Sequence, residues 1–271
     1  AAVIKELVEN SIDAGATAVE VSLQAGGVSS IVVRDNGFGL EKDDLLLSVE
    51  RHATSKIASF ADLEAIASMG FRGEALASIA SVSRFRMTSQ TEGAKHAWQL
   101  RCEGSSTLET ELVVVSKPMK TGTTVEVRDL FFRVPARQKF LSQPKQEYNK
   151  VRTLFKKLAL AHPQVALVLV HDDKRVYDLP IADTQDKHLA RIGSCLGSQF
   201  VHDQIFLSEE VPWGRVMGWV AKPLFTRRTQ DMQFFFLNNR PIMDKALSFS
   251  LKRAYQDVIA PGCFPAFCLY L

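Results

Sequence analysis

A mixed α/β fold, of the α+β kind in which helices are set against mostly antiparallel strands, is predicted for this 271-residue chain, in two parts. Three observations predict it. Apolar residues recur at helical spacing in some segments and alternate in others. The alternating segments follow one another with turn residues between them. A polar run over 182–187 then interrupts the pattern. The length fits two modest domains at roughly 150 residues each. With 46% hydrophobic and 23% charged residues, the composition is that of a globular chain and not a disordered one.

Residues 3–14 are predicted as a helix whose apolar face is Ile4, Leu7, Val8 and Ile12, with Gly15 as its stop. Residues 17–24 turn Val19, Val21 and Leu23 to one side as a strand. Gly26 and Gly27 reverse the chain, and 30–34 is a second strand that residues 35–39 break. Helices are expected over 43–49 and 60–67, on either side of the polar stretch 51–56, and again over 74–81 after a glycine-rich lead. Strands near 83–89, 96–102, 111–116 and 123–128 are spaced as an antiparallel meander. A long helix over 144–161 stops before Pro163, and the very apolar strand 165–170 turns at Asp172 and Asp173 into 175–179. Past the polar run come a helix over 188–196, strands at 202–209, 214–221 and 233–237, a helix over 243–258 and a strand from Ala266. The first domain is therefore placed at 1–184 and the second at 185–271.

The longest apolar runs, such as 165–170, fall far short of the ~20 residues of a membrane span, and no signal-peptide pattern opens the chain. Cys102, Cys195, Cys263 and Cys268 are scattered without a CxxC pair, and the six histidines lack metal-ligand spacing. Reduced, mostly buried thiols are expected, and no zinc site. A net charge of +3 excludes a histone-like polycation. It does not exclude a local patch: from Arg133 to Lys157, eight basic residues stand against one acidic residue, Glu147. A solvated helix face is one reading. The excess is one-sided for ion-paired decoration, and contact with a phosphate backbone is the favoured reading. Arg137, Lys139 and Lys157 are the candidates there, and Arg240, in a turn between a strand and a helix, is a further one. Nothing in the pattern points to base-specific readout.

On the first helix Glu6 and Asn10 share a polar face, either plain solvated surface or a site. As a site, Glu6 is a general base for water and Asn10 offers a hard oxygen to Mg²⁺. Asp35-x-Gly37-x-Gly39 follows a strand and reads as a turn. It also reads as a carboxylate that accepts a hydrogen bond from an exocyclic amine such as adenine's, with glycines letting the backbone approach a flat ring. Gly70 to Gly73 precede a helix whose first backbone N–H groups suit an anion. The sequence has neither a P-loop nor a nucleophile elbow.

Taken in order, ELVENSIDAG (6–15), DNGFG (35–39), RHATSK (51–56), GFRGEAL (70–76), GTT (122–124) and PARQKFL (135–141) resemble the N-terminal ATPase region of the MutL family of DNA mismatch-repair proteins. These belong to the GHKL ATPases, with type II topoisomerases, the ninety-kilodalton heat-shock chaperone and histidine kinases. The run 51–56 and the string GFRGEAL are like MutL rather than those relatives, and the resemblance covers essentially the whole chain. It implies a two-layer GHKL (Bergerat) sandwich followed by a smaller α/β domain of the ribosomal-protein type. It also implies slow Mg²⁺-dependent ATP hydrolysis that controls N-terminal dimerisation, non-specific DNA binding, and a mismatch-recognition partner of the MutS type. A homodimer in the bacterial cytoplasm, associated with the nucleoid, is the setting it favours, with the nucleus as the alternative for a eukaryotic chain.

Residue by residue, the resemblance implies Glu6 as the catalytic base and Asn10 as the Mg²⁺ ligand. Asp35 would accept from adenine, with Gly37 and Gly39 lining the base pocket and Thr123 beside it. Thr54, Ser55 and Lys56 would belong to an ATP lid. Gly70, Phe71, Arg72, Gly73, Glu74, Ala75 and Leu76 would meet the phosphates through their backbone. A non-enzymatic DNA-binding scaffold with a vestigial nucleotide pocket is the other reading of the same residues. The chain opens without Met and inside an amphipathic pattern, as a fragment would. The resemblance implies that the lysine reaching the γ-phosphate lies past Leu271, and that the segment closing the dimer over ATP precedes Ala1.

Overall fold

The computed structural model describes residues 1–50, 74–103, 110–115, 119–212 and 214–271. They divide into two compact units that interleave in sequence: Ala1–Phe155 with Val165–Pro180, and Lys156–Gln164 with Ile181–Leu271. The helix expected over 60–67 lies outside the described residues.

In the first unit α1 (Ala2–Asp13) leads into β1 (Ala18–Gln24), β2 (Ser30–Asp35), α2 (Lys42–Leu47), α3 (Ala75–Ala80) and β3 (Arg84–Gln90). Then come β4 (Ala97–Glu103), β5 (Thr110–Val115), β6 (Gly122–Arg128), α4 (Pro135–Gln138), α5 (Pro144–Ala161), β7 (Ala166–His171) and β8 (Lys174–Leu179). The last turns of α5, from Lys156, group with the second unit. The eight strands form one sheet in the order β5-β4-β3-β6-β2-β1-β7-β8, antiparallel throughout except for β1 beside β7. The expected meander over 83–128 is corrected here: β6 pairs with β3 and β2, not with β5. Burial explains the order. β6 buries Gly122, Thr123, Val125 and Val127 and takes a central place, whereas β5 buries no residue and takes the edge.

One face of this sheet is apolar. Val19, Val21, Leu23, Ile31, Val33, Phe85, Met87, Val125, Val127, Leu167 and Leu169 are all buried there, each contributing roughly 1.5–3 kcal/mol relative to exposure. The opposite face carries polar cross-strand pairs such as Arg34 with Glu20 (3.7 Å) and Arg86 with Glu126 (3.2 Å), the alternation of a half-covered antiparallel sheet. On α1 the buried residues are Ile4, Leu7, Val8 and Ser11, while Ile12 is only half-buried. At about 100° per residue, Ser11 falls roughly 20° from Ile4, inside the stripe, and Ile12 falls on its flank.

The second unit holds α6 (Gln185–Leu196), α7 (Ser198–His202), β9 (Gln204–Val211), β10 (Gly214–Ala221), β11 (Thr226–Arg227) and β12 (Gln233–Leu237). They are followed by β13 (Arg240–Ile242), α8 (Lys245–Tyr255), β14 (Phe264–Pro265) and β15 (Phe267–Tyr270). Five strands form a sheet in the order β13-β12-β15-β10-β9, and β11 pairs with β14. Trp219, Phe200, Phe236 and Phe267 are its largest fully buried side chains. α6 starts three residues before the expected 188 because Thr184 caps it, accepting from the Lys187 N–H at 3.3 Å. The expected turn at 239–240 is shifted. Asn238 and Asn239, both at positive φ, make it, and Arg240 opens a strand that periodicity did not reveal. No helix among the described residues is long and apolar enough to cross a membrane.

Candidate functional site

Asp35 closes β2, and the chain leaves the sheet at Asn36. The Asn36 side chain holds that exit in place. Its Oδ1 accepts from the N–H groups of Thr17 (2.9 Å) and Ala18 (2.8 Å), and its Nδ2 donates to Thr17 Oγ1. Asp35 itself is half-buried and fixed from three directions. Oδ1 accepts from the N–H groups of Gly37 (3.0 Å) and Thr123 (3.1 Å), and Oδ2 accepts from Ser11 Oγ (2.8 Å). The Ser11 hydroxyl has one proton and a second acceptor, the Leu7 carbonyl at 3.1 Å. The carboxylate is closer and charged, and takes it. An ionised carboxylate offers about four acceptor directions. Among the described residues these three bonds leave room on Oδ2 for one further donor.

Around Asp35 the backbone is packed without side-chain clearance. A Cβ on Gly37 would lie 2.6 Å from the Ala14 carbonyl oxygen, and one on Gly39 (φ +74°) 2.3 Å from that of Gln90. Glycine is required at both positions because segment 35–39 presses against the ends of α1 and β3. The Phe38 N–H adds a bond to the Ala14 carbonyl at 3.0 Å. Thr123 is buried, with Oγ1 2.9 Å from Ser89 Oγ, and Ser89 Oγ accepts from the Leu40 N–H at 2.8 Å. Ser89 thereby ties the residue after Gly39 to Thr123. Sequence reasoning missed both Ser11 and Ser89. The available signal was a polar residue at a core-facing position: Ser11 within the helical stripe, Ser89 in alternation with Phe85 and Met87.

Glu6 and Asn10 stand one turn apart on α1, outside its buried stripe, and both are half-buried. The Asn10 carbonyl accepts from the Ala14 N–H at 2.9 Å. Beside them Lys5 Nζ donates to Glu9 Oε2 at 2.8 Å and lies 3.7 Å from Glu6 Oε1. Burial raises the Glu9 carboxyl above its ordinary range, although Lys5 pulls the other way. For Lys5 burial opposes the charge, but the bonds and charges of Glu9 and Glu6 outweigh it and the ammonium is held above its usual value.

Of the remaining expected site residues, Glu74 precedes α3, and Ala75 and Leu76 begin it, all half-buried. Thr54, Ser55, Lys56, Gly70, Phe71, Arg72 and Gly73 lie outside the described residues. In the first unit Arg137 belongs to α4 and Lys139 caps it, both exposed. In the second unit Lys157, on α5, and Arg240 are half-buried. The basic stretch is not uniformly free charge. Lys150 Nζ donates to Glu147 Oε1 (2.7 Å) and Ser142 Oγ (2.9 Å). The Arg152 guanidinium lies 5.8 Å from the Tyr148 ring and that of Arg133 5.4 Å from Phe132. Three of the four thiols are buried. Burial pushes Cys102 and Cys195 up to about 11 and Cys268 up to about 12, so they stay protonated and unreactive.

Residues 1–129 match the family model of histidine kinase-, DNA gyrase B- and HSP90-like ATPases, and residues 192–271 match that of the C-terminal domain of DNA mismatch repair proteins. The chain is 46% identical over 269 residues to the DNA mismatch repair protein MutL of Cellvibrio japonicus, covering 99% of this chain and 42% of that protein. To the MutL of Histophilus somni it is 42% identical over 271 residues, covering 100% of this chain and 44% of that one. The chain thus spans less than half the length of these curated relatives. The Aquifex aeolicus MutL ATPase domain complexed with ADP superposes with a TM-score of 0.67 at 29% identity, over 99% of this chain and 89% of that one. The N-terminal domain of a DNA repair protein superposes with a TM-score of 0.76 at 25% identity, over 99% and 82% of the respective chains. On sequence and fold, the chain belongs to the MutL family of DNA mismatch-repair proteins and spans its N-terminal GHKL ATPase domain.

Proposed function

We propose that this chain binds ATP with Mg²⁺ and hydrolyses it slowly, and that nucleotide binding draws two such N-terminal regions together as a homodimer. In this reading the switch couples a mismatch-recognition protein of the MutS type to later repair steps, in the bacterial cytoplasm at the nucleoid. DNA is held without sequence preference through phosphate contacts of Arg137, Lys139, Lys157 and Arg240. The observation that carries the nucleotide reading is the Asp35 carboxylate. Ser11, Gly37 and Thr123 fix it while one acceptor direction is left for an exocyclic amine. The ADP complex of the Aquifex aeolicus relative supports the same ligand class.

The Asn10 amide oxygen and the Glu6 carboxylate one turn before it form a hard-oxygen donor set. Mg²⁺ accepts such donors, usually keeping few protein ligands. When bound, the ion supplies charge neutralisation at the phosphates. Asn10 would hold it, and a Glu6 carboxylate oxygen takes the proton of the attacking water. Asp35 receives the adenine amine, Thr123 borders the ring, and Gly37 and Gly39 let the backbone close on it. Thr54, Ser55 and Lys56 are assigned to the lid. Gly70, Phe71, Arg72 and Gly73, continuing into Glu74, Ala75 and Leu76, are assigned to the phosphates.

Glu6→Ala in the intact protein separates binding from chemistry. ATP affinity is expected to stay near the unmodified value while turnover falls by roughly 10²- to 10⁴-fold, read by nucleotide titration beside phosphate release. Unchanged turnover removes Glu6 as the base.

A further inference from the structure

The reading of Glu6 as the base leaves its two charged neighbours on α1 without a role. Lys5 Nζ donates to Glu9 Oε2 at 2.8 Å and stands 3.7 Å from Glu6 Oε1. The first contact is a charge-assisted hydrogen bond, and the second is an ion pair too long to be one. The anchor is the sheltered member: the Glu9 side chain is 12% exposed, against 45% for Lys5 and 41% for Glu6. Helix stability does not account for this arrangement. A Lys that precedes Glu by four residues is the weaker of the two orders on a helix, and partly exposed pairs contribute little. Its geometric consequence is specific. An ammonium pinned to a sheltered carboxylate is a fixed point, whereas an exposed glutamate left alone samples several rotamers.

We propose that Lys5, anchored by Glu9, is a positioning residue that holds the Glu6 carboxylate in the orientation from which it takes the proton of the attacking water. The inference rests on the reading of Glu6 as the base. It requires the Lys5 charge and the Glu9 anchor to act as one unit, with no part in nucleotide affinity.

In the intact protein Lys5→Met is expected to lower kcat for ATP roughly tenfold or more, since small misplacements of a catalytic group have effects of that order. KM and the nucleotide Kd are expected to hold. Lys5→Arg, which restores a cation of similar reach, recovers most of the rate. Glu9→Gln lowers kcat in the same way, and the double variant Lys5→Met/Glu9→Gln is no slower than Lys5→Met alone. A merely structural role would lower affinity and melting temperature together with kcat and would gain nothing from arginine. An unchanged or raised kcat in Lys5→Met, a loss that arginine does not relieve, or multiplied losses in the double variant would each overturn the inference. Glu6→Ala in the same assay tells the two failures apart. If it turns over normally, the base assignment falls and the role of Lys5 with it. If it is inactive while Lys5→Met is normal, only the role of Lys5 falls.

Discussion

Ser11 sits in the apolar stripe of α1 and is nonetheless a serine, because its hydroxyl reaches the Asp35 carboxylate 2.8 Å away. A hydrogen bond to a charged group contributes about 1.5–3 kcal/mol, and here it fixes one oxygen of the carboxylate assigned to adenine. Ser11→Ala keeps the helix, since alanine is the best helix former. It is expected to weaken ATP binding by about tenfold or more, as 1.4 kcal/mol is a factor of ten, with the far-UV circular dichroism unchanged. An unaltered Kd would mean that Gly37 and Thr123 suffice to hold Asp35. At this scale the break after β2 at Asp35, Gly37 and Gly39 was legible in the sequence because aspartate and glycine supply turn geometry. Ser11 and Ser89 were not. Periodicity counts apolar residues, and a core-facing serine simply lowers the count until its partner in space is known.

At the scale of elements, α1 was readable from its helical spacing and the strand-to-loop exit at Asp35 from its turn residues, although the bonds that hold that exit, from Thr17, Ala18, Ser11 and Thr123, come from distant parts of the chain. The place of β6 was not. Even spacing of four strands is compatible with a meander, and only the burial of Val125 and Val127 against the edge character of β5 selects the observed order. The hairpin at Asn238 and Asn239 escaped for a related reason, because a three-residue strand carries too little alternation to register. The basic stretch spans α4 and α5, and its members are unequal: Lys139 is exposed, whereas Lys150 is engaged with Glu147. Lys139→Glu and Lys157→Glu are expected to weaken DNA binding uniformly across sequences. Each lost phosphate contact should also flatten the log K against log salt slope by about 0.9, read by fluorescence anisotropy over a KCl series. Affinity and slope both unmoved would dismiss the stretch as a DNA contact.

For the whole molecule, a net charge of +3 concealed the basic stretch, while the α/β class followed from the helical and alternating periodicities and the expectation of two parts from the polar run over 182–187. Each unit has its own core, and that of the second contains a histidine. His188 donates to or accepts from Tyr270 Oη at 2.9 Å and meets Trp219 edge-on at 4.9 Å. Burial, then the charge of Arg191, pushes its pKa from 6.5 down to about 4. A histidine kept neutral when folded stabilises fully above its unfolded pKa and loses that contribution as pH falls from 6.5 towards 4, because the unfolded chain takes up the proton first. Thermal melts are therefore expected to drop over that range, and His188→Gln to flatten the drop; an equally steep profile in the variant would assign it to other groups. The nucleotide site is the claim on which the functional reading depends. The most direct measurement is an ATP titration in the presence of Mg²⁺, with the intact protein and its Asp35→Asn variant side by side. Saturable binding that the variant loses by about tenfold or more is the expected result. No binding by the unmodified protein, or equal affinity in the two, would contradict it.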